Sequence, residues 1–113
     1  MPSQTDTWVP VGRATFSSLA SAITLGSSTP TAGTAYASLV NSTGQRAYPN
    51  HAIISIETQP VRVTDDGTTP TAAVGELNKA DTKLVIENAP DAIRNTKIIE
   101  TTASAAVTVR YYI

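Results

Sequence analysis

The sequence predicts an all-β protein: a single β-sandwich or jelly-roll domain that carries an extended N-terminal arm. Three observations favour this fold. The chain has 113 residues, enough for one domain. Short β-branched segments recur at a spacing of roughly 8–12 residues with turn signals between them. No long amphipathic helical pattern occurs anywhere in the chain. We place the arm at residues 1–12 and the β-domain at residues 13–113.

The N-terminal half has few clear strand signals. Pro10 has no N–H group to donate, which confines its segment to a sheet edge or an arm. Residues 13–25 place apolar side chains at helical spacing, but their Ser and Thr content and the following Gly-Ser-Ser favour an extended chain. Residues 26–34 are predicted to form a loop. Residues 36–40 are predicted to form a strand, closed by the turn-forming residues 41–44.

The C-terminal half carries clearer strand patterns, in which β-branched residues alternate with polar ones. Between two of these segments, Asp66-Gly67 is a strong signal for a tight turn, since glycine adopts a positive φ without steric cost. In the last segment the alternation places Val107, Val109 and Tyr111 on one face. The predicted strands are residues 51–57, 61–63, 82–87, 97–100 and 105–113.

Composition narrows the classes of partner. The formal net charge is −1, so the charge of the whole chain gives no reason to expect nucleic acid or an anionic membrane as a partner. The chain has no Cys and therefore neither a disulfide framework nor a thiolate metal site. Its N-terminus lacks the basic and apolar regions of a secretory signal, and no apolar run approaches the roughly 20 residues that span a bilayer. We expect synthesis in the cytoplasm of the producing cell.

A Ser/His/Asp triad would depend on His51, because it is the single histidine of the chain. A Ser/His/Asp arrangement also needs an activated hydroxyl, and no Gly-x-Ser-x-Gly or other nucleophile motif occurs. The simpler interpretation is a histidine at the start of a strand, after the turn at residues 48–50. We therefore predict that the protein is not an enzyme and that it has no catalytic residue.

A metal or cofactor site has equally little support. Asp65 and Asp66, with Glu76 and Asp81 nearby, offer the oxygen ligands that Ca²⁺ prefers. The spacing of an EF-hand loop is absent, however, and Asp-Asp-Gly-Thr is what a plain turn requires. A pair of catalytic carboxylates could be assembled from the acids of almost any fold, and the glycines do not form a phosphate-binding loop. We predict no metal site and no cofactor.

Residues 51–113 carry a family resemblance. The segment from Val61 to Gly75 reads Val-Arg-Val-Thr-Asp-Asp-Gly-Thr-Thr-Pro-Thr-Ala-Ala-Val-Gly. The segment from Glu100 to Tyr112 reads Glu-Thr-Thr-Ala-Ser-Ala-Ala-Val-Thr-Val-Arg-Tyr-Tyr. Together with the strands around them, these segments resemble small virion proteins of tailed bacteriophages, which are often encoded beside the major capsid protein. Some of those proteins decorate or cement the phage head.

The resemblance implies a structural virion protein on the outer surface of the capsid, assembled in the host cytoplasm. Such a protein bridges neighbouring subunits of the major capsid protein and gains avidity when it self-associates as a homodimer or homotrimer. The abundant small side chains suit this role, because they let a partner backbone approach closely and lose little entropy on docking. Two alternatives stay open: a tail, neck or head-fibre component, and a carbohydrate-binding β-sandwich module.

The arm supplies the candidate partner-binding residues Trp8, Val9 and Val11. Its polar start cannot bury enough apolar surface to order itself, yet these three side chains are sizeable and apolar. Tryptophan is also among the most frequent anchor residues of protein interfaces. The alternative interpretation is that Trp8 covers the core of its own domain.

Overall fold

Nine strands form two antiparallel sheets in residues 8–113, the part of the chain that the computed structural model describes. The predicted all-β sandwich is confirmed. The strands are β1 (Pro10–Phe16), β2 (Ile23–Thr24), β3 (Ala32–Gly33), β4 (His51–Ile56), β5 (Val61–Thr64), β6 (Glu76–Asn78), β7 (Thr82–Ile86), β8 (Lys97–Glu100) and β9 (Val107–Tyr112), with a 3₁₀ turn at Tyr36–Ser38 and a helix α1 at Pro90–Asn95.

The five-stranded sheet has the order β3-β1-β9-β4-β7, and the four-stranded sheet has the order β2-β8-β5-β6. The strand β9 lies at the centre of the larger sheet. It pairs with β1 on one side and with β4 on the other, so that Val109 faces Ala14 and Ile54 in register. The largest sheet is therefore built around the strand that comes last in the chain.

The core lies between the two sheets and follows the period-two alternation of the strands. Val107, Val109 and Tyr111 share one face, as the sequence predicts, and the structure shows that they are fully buried, while the residues between them are half-buried on the opposite face. The four-stranded sheet contributes Val61 and Ile98 from its inner side. The two sheets thus share one continuous apolar layer.

The predicted turn at Asp66-Gly67 is confirmed. Gly67 has a φ of +88°, and the Asp66 carboxylate accepts hydrogen bonds from the hydroxyl and the backbone N–H of Thr68 at 2.6 and 3.1 Å. These two hydrogen bonds hold the pKa of Asp66 below its usual value. The Asp-Gly-Thr sequence is thus accounted for by turn formation.

The predicted strand at residues 36–40 is wrong. The chain instead forms one 3₁₀ turn, in which the N–H of Ser38 donates to the Ala35 carbonyl. Residues three apart lie on the same side of such a turn. Tyr36 and Leu39 can therefore both point into the core, which the alternation of a strand would not allow.

The arm predicted at residues 1–12 also needs correction in its described part; residues 1–7 lie outside the described residues. Val9 exchanges backbone hydrogen bonds with Ile113 at 2.8 and 2.9 Å, and β1 already begins at Pro10. A bulge between Pro10 and Gly12 inserts Val11 as an extra residue, and Val11 is buried in the core. Pro10 is tolerated because β3 pairs with β1 only further along, at Ala14 and Thr15.

The helix α1 has six residues and begins at Pro90, where the missing N–H of proline costs nothing. Ile93 on this helix is fully buried, and the Thr96 hydroxyl donates to the Ala92 carbonyl at 2.7 Å where the helix ends. Within residues 8–113, no helix has the length and apolar character needed to cross a membrane. The helix connects the two sheets, because it leads from β7 in the larger sheet to β8 in the smaller one.

Candidate interaction face

The side of the five-stranded sheet that points away from the core is the candidate interaction face, which we call the outer face. Its rows follow from the strand registers, because the residues directly opposite each other on paired strands point to the same side. The three rows are Pro10, Tyr112 and His51; Arg13, Arg110, Ile53 and Val85; and Thr15, Thr108, Ser55 and Lys83.

Three aromatic rings meet at one end of the outer face. The indole of Trp8 stacks on the His51 ring, with centroids 3.9 Å apart and an angle of 5° between the planes. The Tyr112 ring lies tilted against the same indole, with centroids 5.7 Å apart. Stacked aromatic pairs of this kind contribute about 1 kcal/mol beyond the area that they bury. We call Trp8, His51 and Tyr112 the aromatic cluster.

His51 is oriented by a second contact. Its Nδ1 atom accepts a hydrogen bond from the backbone N–H of Asn88 at 3.2 Å. His51 is also the first residue of β4, as its interpretation as a strand-start histidine predicts. The ring is thus held by a backbone donor at its edge and by the indole on its face.

The three predicted partner-binding residues have different environments. Trp8 is half-buried on the outer face, and Val9 beside it is 48% exposed. Val11 is only 9% exposed and belongs to the core. The structure therefore brings Trp8 to the outer face and leaves Val9 accessible, but it assigns Val11 to the packing between the two sheets.

Two arginines face each other next to the aromatic cluster. Arg13 on β1 lies directly opposite Arg110 on β9, and both line a shallow depression of about 330 Å³ together with Pro10, Gly12 and Tyr112. Neither guanidinium forms an ion pair with a described residue. Like charges opposite each other on antiparallel strands repel, so this pair destabilises the isolated sheet unless an anion lies between them.

This arrangement is suited to binding a carboxylate. A guanidinium forms two parallel hydrogen bonds with a carboxylate, and an anionic group beside both arginines would relieve their mutual repulsion. In the neighbouring row, Lys83 adds an ammonium group, and the Thr108 hydroxyl donates to the Glu57 carboxylate at 2.9 Å and lies 3.4 Å from the Thr15 hydroxyl. The outer face thus combines two arginines and a lysine with aromatic surface, and the Glu57 carboxylate lies beside the threonine hydroxyls.

The acidic residues considered for calcium are not gathered into one site. Asp65 and Glu76 line a depression of about 270 Å³ between β7 and the four-stranded sheet, whereas Asp81 lines a different depression beside Ser55. Asp66 is engaged by Thr68 in its turn. Across residues 8–113, no three His, Asp or Glu side chains are close enough together to hold a metal ion.

The structure brings Arg13, Arg110 and Ile53 together on one surface that the sequence does not predict. The alternation of β9 indicates part of this surface, because it places Arg110 and Tyr112 on the face opposite the core residues. The pairing of β1 with β9 brings Arg13 to Arg110, and no local pattern in the sequence encodes that pairing.

Comparisons of the chain with protein-family models, with curated proteins and with solved structures find no match.

Proposed function

We propose that the protein is a structural virion protein that decorates the outer surface of a phage capsid and bridges neighbouring subunits of the major capsid protein. The resemblance of residues 51–113 supports the class of protein. The observation that carries the proposal is the Arg13–Arg110 pair beside the aromatic cluster on the outer face, where Arg13 is exposed and Arg110 is half-buried. Arginine and aromatic side chains are the residues in which interface binding energy is most often concentrated.

In this proposal the outer face docks on an acidic segment of the capsid subunits. A carboxylate of the capsid lies between Arg13 and Arg110, and the exposed edges of Trp8 and Tyr112 pack against an apolar neighbour of that carboxylate. The docking element is a rigid sheet, so few side chains lose conformational freedom on binding. Repeated copies on a regular lattice then stabilise the shell through many moderate contacts.

The test uses heads assembled from the same phage genome with the gene for this protein deleted. Purified full-length protein is added to these heads, which are then sedimented and heated. We expect the protein to co-sediment with the heads in a fixed ratio and to raise the temperature at which they release DNA. Absence of binding would refute the proposal, and immunogold labelling of the tail of intact particles would favour a tail or neck component instead.

Charge variants test whether the outer face is the docking surface. The double variant Arg13→Ala/Arg110→Ala should bind the heads at least tenfold more weakly, because it removes both guanidinium groups. The matched control is Arg94→Ala, which removes an exposed arginine on α1 that pairs with Asp91 at 3.0 Å, away from the outer face. Equal affinity of the double variant and the control would exclude the outer face.

A further inference from the structure

The strand β7 forms one edge of the five-stranded sheet and is the longest edge strand among the described residues. It has five residues, whereas the edge strands β2 and β3 have two each and β6 has three. Its pairing with β4 runs without a bulge from Thr82 to Ile86, and it contains no proline. Natural proteins usually shorten or interrupt such an edge, because it offers a template for another strand.

The free side of β7 is not covered by the described part of the chain. No backbone hydrogen bond reaches Thr82–Ile86 from the side away from β4 in residues 8–113. Val85 is 46% exposed. Leu84 and Ile86 are only half-buried, although they point toward the core and line the 270 Å³ depression beside β7. The edge therefore leaves both backbone groups and apolar side chains without partners.

The charges along β7 are complementary to themselves. Lys83, Val85 and Glu87 share one face by strand alternation, with opposite charges two residues on either side of Val85. An antiparallel pairing of two copies centred on Val85 places each Lys83 opposite the partner subunit's Glu87. A pairing centred on Leu84 instead places Asp81 opposite the partner subunit's Glu87, and like charges in that position repel.

We propose that a second copy of this chain docks on β7 as an antiparallel strand centred on Val85. The two five-stranded sheets then form one ten-stranded sheet with two-fold symmetry. Leu84 of each copy lies opposite the partner subunit's Ile86, which covers the half-buried inner side of the edge. The interface is isologous, because the same residues serve both copies.

The two-fold axis of such a pair is perpendicular to the joined sheets, so the outer faces of both copies lie on the same side. The pair would present two sets of the arginines and aromatic rings that the proposed function uses. The pairing itself does not depend on that function, since it needs only the protein. Its test therefore contains no capsid, and the two proposals can fail separately.

Lysine on an edge strand has the opposite role in many proteins, where its charge prevents pairing with another strand. If the charge of Lys83 prevents strand pairing in this way, the protein is monomeric, and replacing Lys83 promotes self-association. If Lys83 pairs with the partner subunit's Glu87, replacing it weakens association. The two interpretations thus predict changes of opposite sign.

The decisive experiment is sedimentation velocity of the full-length protein from sub-micromolar to several hundred micromolar concentration. We expect a reversible monomer–dimer equilibrium. Lys83→Glu and Glu87→Lys should each raise the dissociation constant at least tenfold, because each places like charges opposite one another. The double variant Lys83→Glu/Glu87→Lys restores the complementary pairs and should return the dissociation constant to within a few-fold of the original.

Val85→Lys provides a second disruption at the centre of the interface, since it brings two new ammonium groups together on the axis. Its matched control is Val74→Lys, which makes the same substitution at a 60% exposed valine in the turn before β6. Circular dichroism checks that each variant is folded. Hydrogen exchange should show that the β7 amides pointing away from β4 are protected in the dimer and lose that protection in Val85→Lys, while the amides paired with β4 stay protected in both.

A protein that stays monomeric over the whole concentration range would overturn the proposal, as would tighter association of Lys83→Glu. A dimer that neither single charge variant weakens would place the interface elsewhere. Failure of the double variant to recover would exclude the register centred on Val85.

Discussion

The central and edge strands of the five-stranded sheet have similar alternating sequences and very different environments. Ile54 on β4 has neighbours on both sides, Val109 on β9 and Leu84 on β7, and it is fully buried. Leu84 points in the same direction one strand further out and is only half-buried. The alternation of a strand determines which face a side chain takes, while the neighbouring strands determine how much of it is buried.

This difference separates two roles within one sheet. The central strands hold the fully buried apolar side chains of this sheet, so their substitution is expected to affect the free energy of unfolding. The edge strand contributes less to folding and remains available for association. Substitutions in the two kinds of strand therefore test this division.

Ile54→Ala should lower the free energy of unfolding by about 3 kcal/mol, because it removes buried apolar atoms and leaves a cavity. Leu84→Ala should lower it by about 1 kcal/mol, since its side chain is partly in contact with water before the substitution. Chemical denaturation at sub-micromolar concentration measures both values without a contribution from association. Equal losses for the two variants would mean that the edge is packed as tightly as the centre.

The opposite edge of the sheet gives a second comparison. Gly33 on β3 and Gly67 in the β5–β6 loop have nearly the same φ, +89° and +88°. A Cβ atom at Gly67 meets open space, but at Gly33 it would overlap the carbonyl oxygen of Arg13. Gly67→Ala should cost about 1 kcal/mol for the left-handed backbone alone, and Gly33→Ala should cost at least twice as much. A thermal unfolding series measures the difference, and similar losses would show that the β3 edge can move away from β1.

Trp8 covers the end of the central strands. Fluorescence reports on this contact directly, because the chain has a single Trp. Trp8→Ala should lower the free energy of unfolding by about 1 kcal/mol through loss of the stack on His51. Val9→Ala is the matched control at the neighbouring exposed position. His51→Ala should shift the Trp8 emission toward longer wavelength, whereas an unchanged spectrum would mean that the two rings are apart in solution.

One substitution in the central strand β9 is expected to raise stability. The hydroxyl of Tyr111 is buried and has no hydrogen-bond partner among the described residues, and burial raises the pKa of this phenol. Tyr111→Phe removes the unsatisfied group while keeping the ring contact with Tyr36, so the free energy of unfolding should rise by about 1 kcal/mol. Tyr48→Phe, at an exposed ring, should leave it unchanged. A loss of stability in Tyr111→Phe would reveal a partner for the hydroxyl.

The sequence predicts the strands whose own residues show an alternating, β-branched pattern. The β-branched alternation of β4, β7 and β9 indicates strands without knowledge of their neighbours, and the Asp66-Gly67 turn follows from the conformational freedom of glycine. The strands β2, β3 and β6 are only two or three residues long and were not predicted. They are strands because longer neighbouring strands provide their hydrogen-bond partners. Those neighbouring strands lie elsewhere in the sequence, so the local residues do not predict the pairing.

The sequence predicts less of the candidate site than of the fold. Trp8 was identified by its residue type, but its contact with His51 depends on the bulge in β1 and on the pairing of Val9 with Ile113. The sequence places Val11 in the arm because the neighbouring Pro10 has no N–H group to donate, whereas the bulge in β1 directs Val11 into the core. The Arg13–Arg110 pair depends on a register between distant segments.

The central position of β9 also affects how the protein is made. The strands β1 and β4 emerge from the ribosome long before β9, which must later be inserted between them. Until then, each of them has a long edge without its hydrogen-bonding partner, and such edges promote aggregation of unfinished chains. The five-stranded sheet can therefore be completed only after β9 has been translated. The smaller sheet can form earlier, because β2, β5, β6 and β8 all precede β9 in the chain.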